Sequence, residues 1–229
     1  MKNIVSYVVV GTVLSSCGVK HETNNSQLLD DIKQDKTVEY QVTFTSLWNA
    51  REHVSFPNNA HFSPIVAYSH SDGATLFQLG TLASTEFESL AETGATDGVN
   101  SILNSFEKRG LVGDRIETDS LYPKRTGPNL TFTFKATKQA TSFSLATMIV
   151  PSPDWVVGLS NLNLIDEEGQ FIKTYSKNLY AINAGTEQGD FGGNYTTRNR
   201  AEPVHKELQF LSGRGFNAPF AKIKLERIN

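Results

Sequence analysis

The sequence predicts an all-β protein, an antiparallel β-sandwich, on three observations. Short runs alternate apolar and polar residues. Turn-forming Gly, Pro, Asn and Asp separate these runs, and helical periodicity is confined to residues 85–110. At 229 residues the chain can bury a full core in one domain. Its formal net charge of -3 is too small to steer nucleic acid or an anionic membrane face, so nucleic acid is not an expected partner.

The first residues do not belong to that domain. Lys2 supplies a positive start, and Ile4 to Leu14 form an apolar run too short to stay in a bilayer as a spanning helix. The run ends in Leu14-Ser15-Ser16-Cys17, which resembles the lipobox of bacterial lipoproteins. That resemblance implies a signal peptide over residues 1–16 and an acylated Cys17 at the head of the mature chain. The alternative is an ordinary cleaved signal with an incidental cysteine. Cys17 is the sole cysteine, so no disulfide competes for it, and the exported domain must rely on its core. Acyl chains at about 0.8 kcal/mol per buried methylene would hold the protein to a membrane through its N-terminus. Gly18 follows the cysteine, and by resemblance to lipoprotein sorting this implies the outer membrane or cell surface. Residues 17–37 are polar and poor in aromatics, including His21-Glu22-Thr23-Asn24-Asn25-Ser26-Gln27, and read as a flexible tether.

The domain spans residues 38–229. Tyr40, Val42 and Phe44 alternate with Gln41, Thr43 and Thr45, giving the first strand. The same period marks Leu130-Phe132-Phe134, Phe143-Leu145-Thr147-Ile149, Leu208-Phe210 and Ile223-Leu225, each expected to bury one face. Between strands lie Pro123 to Pro128 and the acidic turn Asp166-Glu167-Glu168-Gly169, read as a solvated hairpin tip with a second metal site as the alternative. Thr85 with Glu88 has capping-box spacing ahead of Phe87, Leu90 and Ala91. Asp97 can cap a second helix whose stripe is Val99, Ile102, Leu103 and Phe106, closed by Gly110. One or two short helices are therefore expected, packed at an end or side of the sandwich.

Two segments carry a family resemblance. The first holds His61-Phe62-Ser63-Pro64-Ile65-Val66, Ser69-His70-Ser71, Gly80-Thr81-Leu82-Ala83-Ser84 and Ala91-Glu92-Thr93-Gly94. The second runs from Met148 through Pro151-Ser152-Pro153-Asp154-Trp155-Val156-Val157-Gly158-Leu159 to Asn178-Leu179-Tyr180 and Asn183-Ala184-Gly185-Thr186-Glu187. With the opening strand at Tyr40 and Trp48, the chain resembles the spondin N-terminal domain of the F-spondin and mindin type over roughly residues 38 to 227. The resemblance implies a C2-like sandwich, extracellular placement, a role in adhesion or recognition, and a calcium site at one end. The family builds that site from the Asp of the Pro-Ser-Pro-Asp run, the acidic residue opening an Asp-Ala-Gly-Thr run, and a Glu on the preceding strands.

By that correspondence the metal candidates are Asp154, Asn183 and Lys135. Three carboxylates around calcium leave about one net negative charge. Here one Asp, one Asn and one Lys (placed by ungapped counting back from Pro151) sum to zero without an ion. The expectation is that calcium binding is weakened or lost, with a Lys135–Asp154 pair bracing the loops instead. Glu187 and Asp190, with Thr186 and the Ala184 carbonyl, are further oxygens within reach.

Catalytic patterns are absent from the sequence. His53, His61 and His70 lie near Ser63, Ser69, Ser71 and Asp72, but no Gly-x-Ser-x-Gly elbow, His-Glu-x-x-His motif or phosphate loop accompanies them. Gly213-Arg214-Gly215 reads as a turn. Trp155 is read as a buried anchor for the Asp154 loop, with a stacking surface for a glycan as the alternative. The chain is expected to be a membrane-tethered recognition or adhesion module rather than an enzyme, with an unknown protein or glycan ligand. The alternatives are a structural envelope component and, more remotely, a His-dependent hydrolase.

Overall fold

The computed structural model describes residues 37–53, 55–187 and 206–229. Cys17, Gly18, His21, the tether and Asp190 lie outside the described residues. Lys36–Asn229 is one compact unit.

β1 (Val38–Ser46) alternates strictly, burying Val38, Tyr40, Val42 and Phe44. It sits between β5 (Asn129–Ala136) and β11 (Ala221–Arg227), so Val42 lies opposite Phe132 on one side and Leu225 on the other. With β8 (Thr174–Leu179) these make a four-stranded antiparallel sheet in the order β5-β1-β11-β8. β8 is an edge strand. Its Lys177 stands opposite Ile223, in the core-facing row of Tyr175 and Leu179, yet stays exposed.

The second sheet has the order β10-β9-β7-β6-β3-β4. Its members are β3 (Val66–His70), β4 (Val112–Glu117), β6 (Ser142–Val150), β7 (Trp155–Asn163), β9 (Ile182–Asn183) and β10 (Gln209–Phe210). β2 (His61–Phe62) pairs with β6 off this path. The two sheets meet through stacked rings: Tyr40 on Phe134 at 5.2 Å, and Phe134 on Phe143 at 4.2 Å.

The expectation of one buried face per sheet fails for β6, of which only Val150 is not buried. Its inward residues Phe143, Leu145 and Ile149 face the other sheet. Ala146 on its other face is covered, together with Val66, Tyr68 and Val156, by Phe87, Leu90, Val99 and Leu103. These come from α1 (Thr85–Thr93) and α2 (Asp97–Lys108), which blanket the outer face of the larger sheet. A strand covered on both sides loses the polar half of its alternation, as in sheets backed by helices.

The helices begin slightly off the expected positions. Ser84, not Thr85, caps α1: its Oγ accepts the Phe87 N–H at 3.2 Å. Asp97 is the first residue of α2 and Thr96 its cap position, but the Thr96 hydroxyl donates to Glu117 on β4 at 2.7 Å. A short turn, α3 (Pro123–Thr126), precedes β5. Among the described residues no helix is long and apolar enough to cross a membrane.

Candidate functional site

The Pro-Ser-Pro-Asp-Trp run turns the chain from β6 into β7. Ser152 Oγ accepts the Trp155 N–H at 3.0 Å and closes the turn. Trp155 is 4% exposed and packs edge-on against Phe216 at 4.9 Å, so it anchors the loop and offers no stacking face to a glycan. Gly158 ends the motif for a steric reason. A Cβ there would come within 2.6 Å of the Phe77 ring and 2.9 Å of the Leu145 carbonyl oxygen.

Asp154 is fully buried. Its backbone carbonyl accepts the Ala184 N–H at 3.1 Å, extending the β7–β9 ladder. Its Oδ2 accepts the N–H groups of Thr186 at 2.8 Å and Glu187 at 3.2 Å. The preceding N–H, of Gly185, goes to Asn183 Oδ1 at 2.6 Å. Three successive backbone donors thus converge on side-chain oxygens, in the manner of an anion-binding nest. Gly185 makes this geometry accessible: its φ is +73°, and a Cβ would lie 2.2 Å from the Lys206 carbonyl oxygen. Burial pushes the Asp154 carboxyl above the ordinary carboxylate range, while the N–H groups of Thr186, Glu187 and Gly185 and the Thr186 hydroxyl oppose the rise. Asp154 Oδ1 and Thr186 Oγ1 are both buried without a partner in hydrogen-bond geometry.

The structure brings two of the three expected metal candidates together and places the third elsewhere. Asp154 and Asn183 are brought together, but both turn toward N–H donors, and Asn183 closes its own turn. Lys135 is not brought to them. It stands exposed on β5 across from Glu39, its N–H donating to Asp114 Oδ2 at 2.7 Å. Asp154 is fully buried while Lys135 is exposed, and no ion pair joins the two. Ungapped counting across the β5–β6 turn misled because strand parity there places Phe134 and Ala136 inward and Lys135 outward. Calcium requires six to eight oxygens and compensating charge. No group of three or more His, Cys, Asp or Glu among the described residues could hold a metal ion. Of the three residues of the expected set, only Asp154 brings a carboxylate to this turn. Backbone N–H dipoles of Thr186 and Glu187 point at the Asp154 carboxylate.

The histidines are also accounted for. His70 Nε2 lies 2.8 Å from Ser144 Oγ, a Ser–His pair that the sequence did not single out. His70 Nδ1 faces the Ser71 carbonyl at 2.9 Å, which makes Nδ1 the protonated nitrogen and Nε2 the acceptor of the Ser144 hydroxyl. Ser144 Oγ in turn accepts the Asn161 N–H at 2.9 Å, where β7 bulges and Asn161 takes φ 55°. Both side chains are 1% exposed, so the pair pins a strand irregularity and meets no substrate. Ser63 bonds Thr147 and Met148, and Ser69 bonds the Lys135 carbonyl and the Asp114 N–H. His61 bonds the Asn59 carbonyl and stacks on Tyr122 at 4.4 Å. His53 packs on Phe220 at 4.2 Å. Burial lowers the pKa of all three described histidines. Asp166 Oδ1 accepts the Gln170 N–H within its own hairpin.

The Spondin_N family model matches residues 38–228. Spondin-1 of Rattus norvegicus is 31% identical over 159 residues, covering 67% of this chain and 20% of that protein. Spondin-1 of Xenopus laevis is 26% identical over 226 residues, covering 90% of this chain and 27% of that protein. Spondin-2 of Homo sapiens is 23% identical over 154 residues, covering 66% and 46% respectively. The chain thus matches about a fifth of the length of the rat relative.

Proposed function

The chain belongs to the spondin N-terminal domain family, and on that premise we propose that it is an extracytoplasmic recognition and adhesion module, moored by lipid on Cys17. The observation that carries this reading is the sealing of its reactive groups. The His70–Ser144 pair and Asp154 are buried inside the two-sheet scaffold, and the loops at its ends carry exposed polar and charged residues. Such an arrangement suits contact with a partner, because loops vary in chemistry while the sandwich holds them in place. The lipid supplies attachment, the polar residues 17–37 supply reach, and calcium is not required to hold the Asp154 turn.

Expression of the full chain in a bacterial host tests the anchor and the module together. The protein should fractionate with the envelope, Cys17→Ala should release it into the soluble fraction, and mass spectrometry should find acyl mass on residue 17. Unmodified Cys17 in a cytosolic protein would sink the proposal. Purified protein should bind whole cells or envelope material, and indifference to both would sink the module reading.

A further inference from the structure

Four cations gather at the end of the sandwich that carries the Asp154 turn. At this end the Ser46 N–H bonds the Pro128 carbonyl at 2.7 Å, the Leu47 N–H bonds the Phe220 carbonyl at 2.9 Å, and His61 pairs with Val150 just before Pro151. Loops 47–60, 121–128 and 212–220 are therefore neighbours in space. They carry Arg51, Lys124, Arg125 and Arg214, all exposed, against one acidic residue, Glu52. Glu52 Oε2 is engaged by the Asn49 side-chain amide at 3.0 Å. A chain of net charge -3 thus presents a locally positive end. None of the four cations takes part in an ion pair among the described residues.

These charges stand along an aromatic floor. Trp48 packs against Phe56 and Phe220, each at 5.5 Å, and His53 lies on Phe220. The Lys124 ammonium sits 4.4 Å from the Phe56 ring centroid and donates to the Phe56 carbonyl at 2.9 Å. Arg125 lies 3.8 Å over Tyr122, the ring on which His61 stacks. Beyond His53, Arg51 and Arg214 face a cleft of about 350 Å³ that Glu52 and Gly215 also line. Lys124 and Arg125 are held by their ring contacts, which limits the ordering cost of binding there.

We infer that this loop end binds an anionic polysaccharide, with one sulfate or carboxylate of the polymer held between Arg51 and Arg214. Guanidinium forks match oxyanions in bidentate geometry, and several cations on neighbouring loops match a polymer with repeated charge. A bilayer is the poorer match, because no large apolar side chain among the described residues of these loops is exposed for insertion. The inference rests on the recognition reading above and narrows its ligand to a chemical class.

Calorimetric titration of the full chain with dextran sulfate, neutral dextran, polyglutamate and phosphatidylglycerol vesicles tests it. Dextran sulfate should bind most tightly and neutral dextran should not bind. Arg51→Glu with Arg214→Glu should weaken dextran sulfate binding at least about tenfold and flatten its salt dependence by about two counterions. Lys222→Glu, on the outer face of β11, should leave it within about twofold on the same argument. The milder pair Arg51→Ala and Arg214→Ala should reproduce the loss if the reversed pair misfolds. Equal binding by wild type and the arginine variants overturns the inference. So does tighter binding to the vesicles or to polyglutamate, which would assign the end to a membrane or an acidic protein. Failure to bind dextran sulfate with cell binding intact removes the polysaccharide alone and leaves the recognition module standing.

Discussion

Replacing Asp154 separates a structural clasp from a metal site. Asp154→Ala strands two backbone donors, the N–H groups of Thr186 and Glu187, inside or at the edge of the core. An unpaired buried donor costs about 1–3 kcal/mol, so two such donors should cost roughly 2–6 kcal/mol. For a chain of this size each kcal/mol moves Tm by about 2–4 °C, so the melting point should fall by roughly 4–24 °C. Asp154→Asn keeps a carbonyl oxygen for both donors, removes a charge that burial disfavours, and gives Thr186 Oγ1 a donor. It should melt within about 3 °C of wild type, a change of about 1 kcal/mol. Thermal melts followed by circular dichroism, with calcium chloride and with chelator, read both variants. Wild type should melt at the same temperature in either condition, since saturation at a hundred times Kd would add about 2.7 kcal/mol. The reasoning fails if calcium raises the wild-type Tm by several degrees while Asp154→Asn abolishes that rise. It fails equally if Asp154→Ala is neutral.

Other outcomes follow from the same geometry. Ser144→Ala removes the hydroxyl between His70 Nε2 and the Asn161 N–H and should cost about 1–3 kcal/mol in denaturant unfolding; unchanged stability would argue against the clamp. Burial depresses the pKa of His53, His61 and His70 in the folded state. The unfolded chain then binds more protons below about pH 6.5, and stability should be lost as pH falls through the folded values. Asp154 acts with the opposite sign: its folded pKa is raised, so it favours the fold at acid pH and loses that contribution as pH climbs above the ordinary carboxylate value. A Tm profile flat between pH 7 and pH 5 would refute the histidine assignment. Gly158→Ala drives a methyl group into Phe77 and the Leu145 carbonyl and should cost about 1–3 kcal/mol, which calorimetric unfolding can measure.

Much of the architecture was legible because it is written in local chemistry. The alternation of β1 and β11 survives intact, since one face of their sheet meets the core and the other meets water. β6 was legible only as apolar, because its second face is covered by helices from a different part of the chain. The cap of α1 lay one residue earlier than read, since Ser84 and Thr85 have the same chemistry and only geometry chooses between them. Asp154 was found by its motif, but its surroundings were not. Asn183 and Gly185 read as a weakened ligand run, whereas the φ of Gly185 turns the following N–H groups inward and makes the turn a receptor for the carboxylate. The cationic end left no sequence signal at all. Arg51, Lys124, Arg125 and Arg214 are scattered over more than half the chain, and only strand order collects them.

Lys177 has a consequence for how copies of this protein coexist. An edge strand offers unpaired amide and carbonyl groups to any similar strand that approaches. At β8 a zipping neighbour would have to desolvate the ammonium that Lys177 places in the core-facing row opposite Ile223. Copies brought close together at high concentration can therefore collide without fusing into continuous sheet.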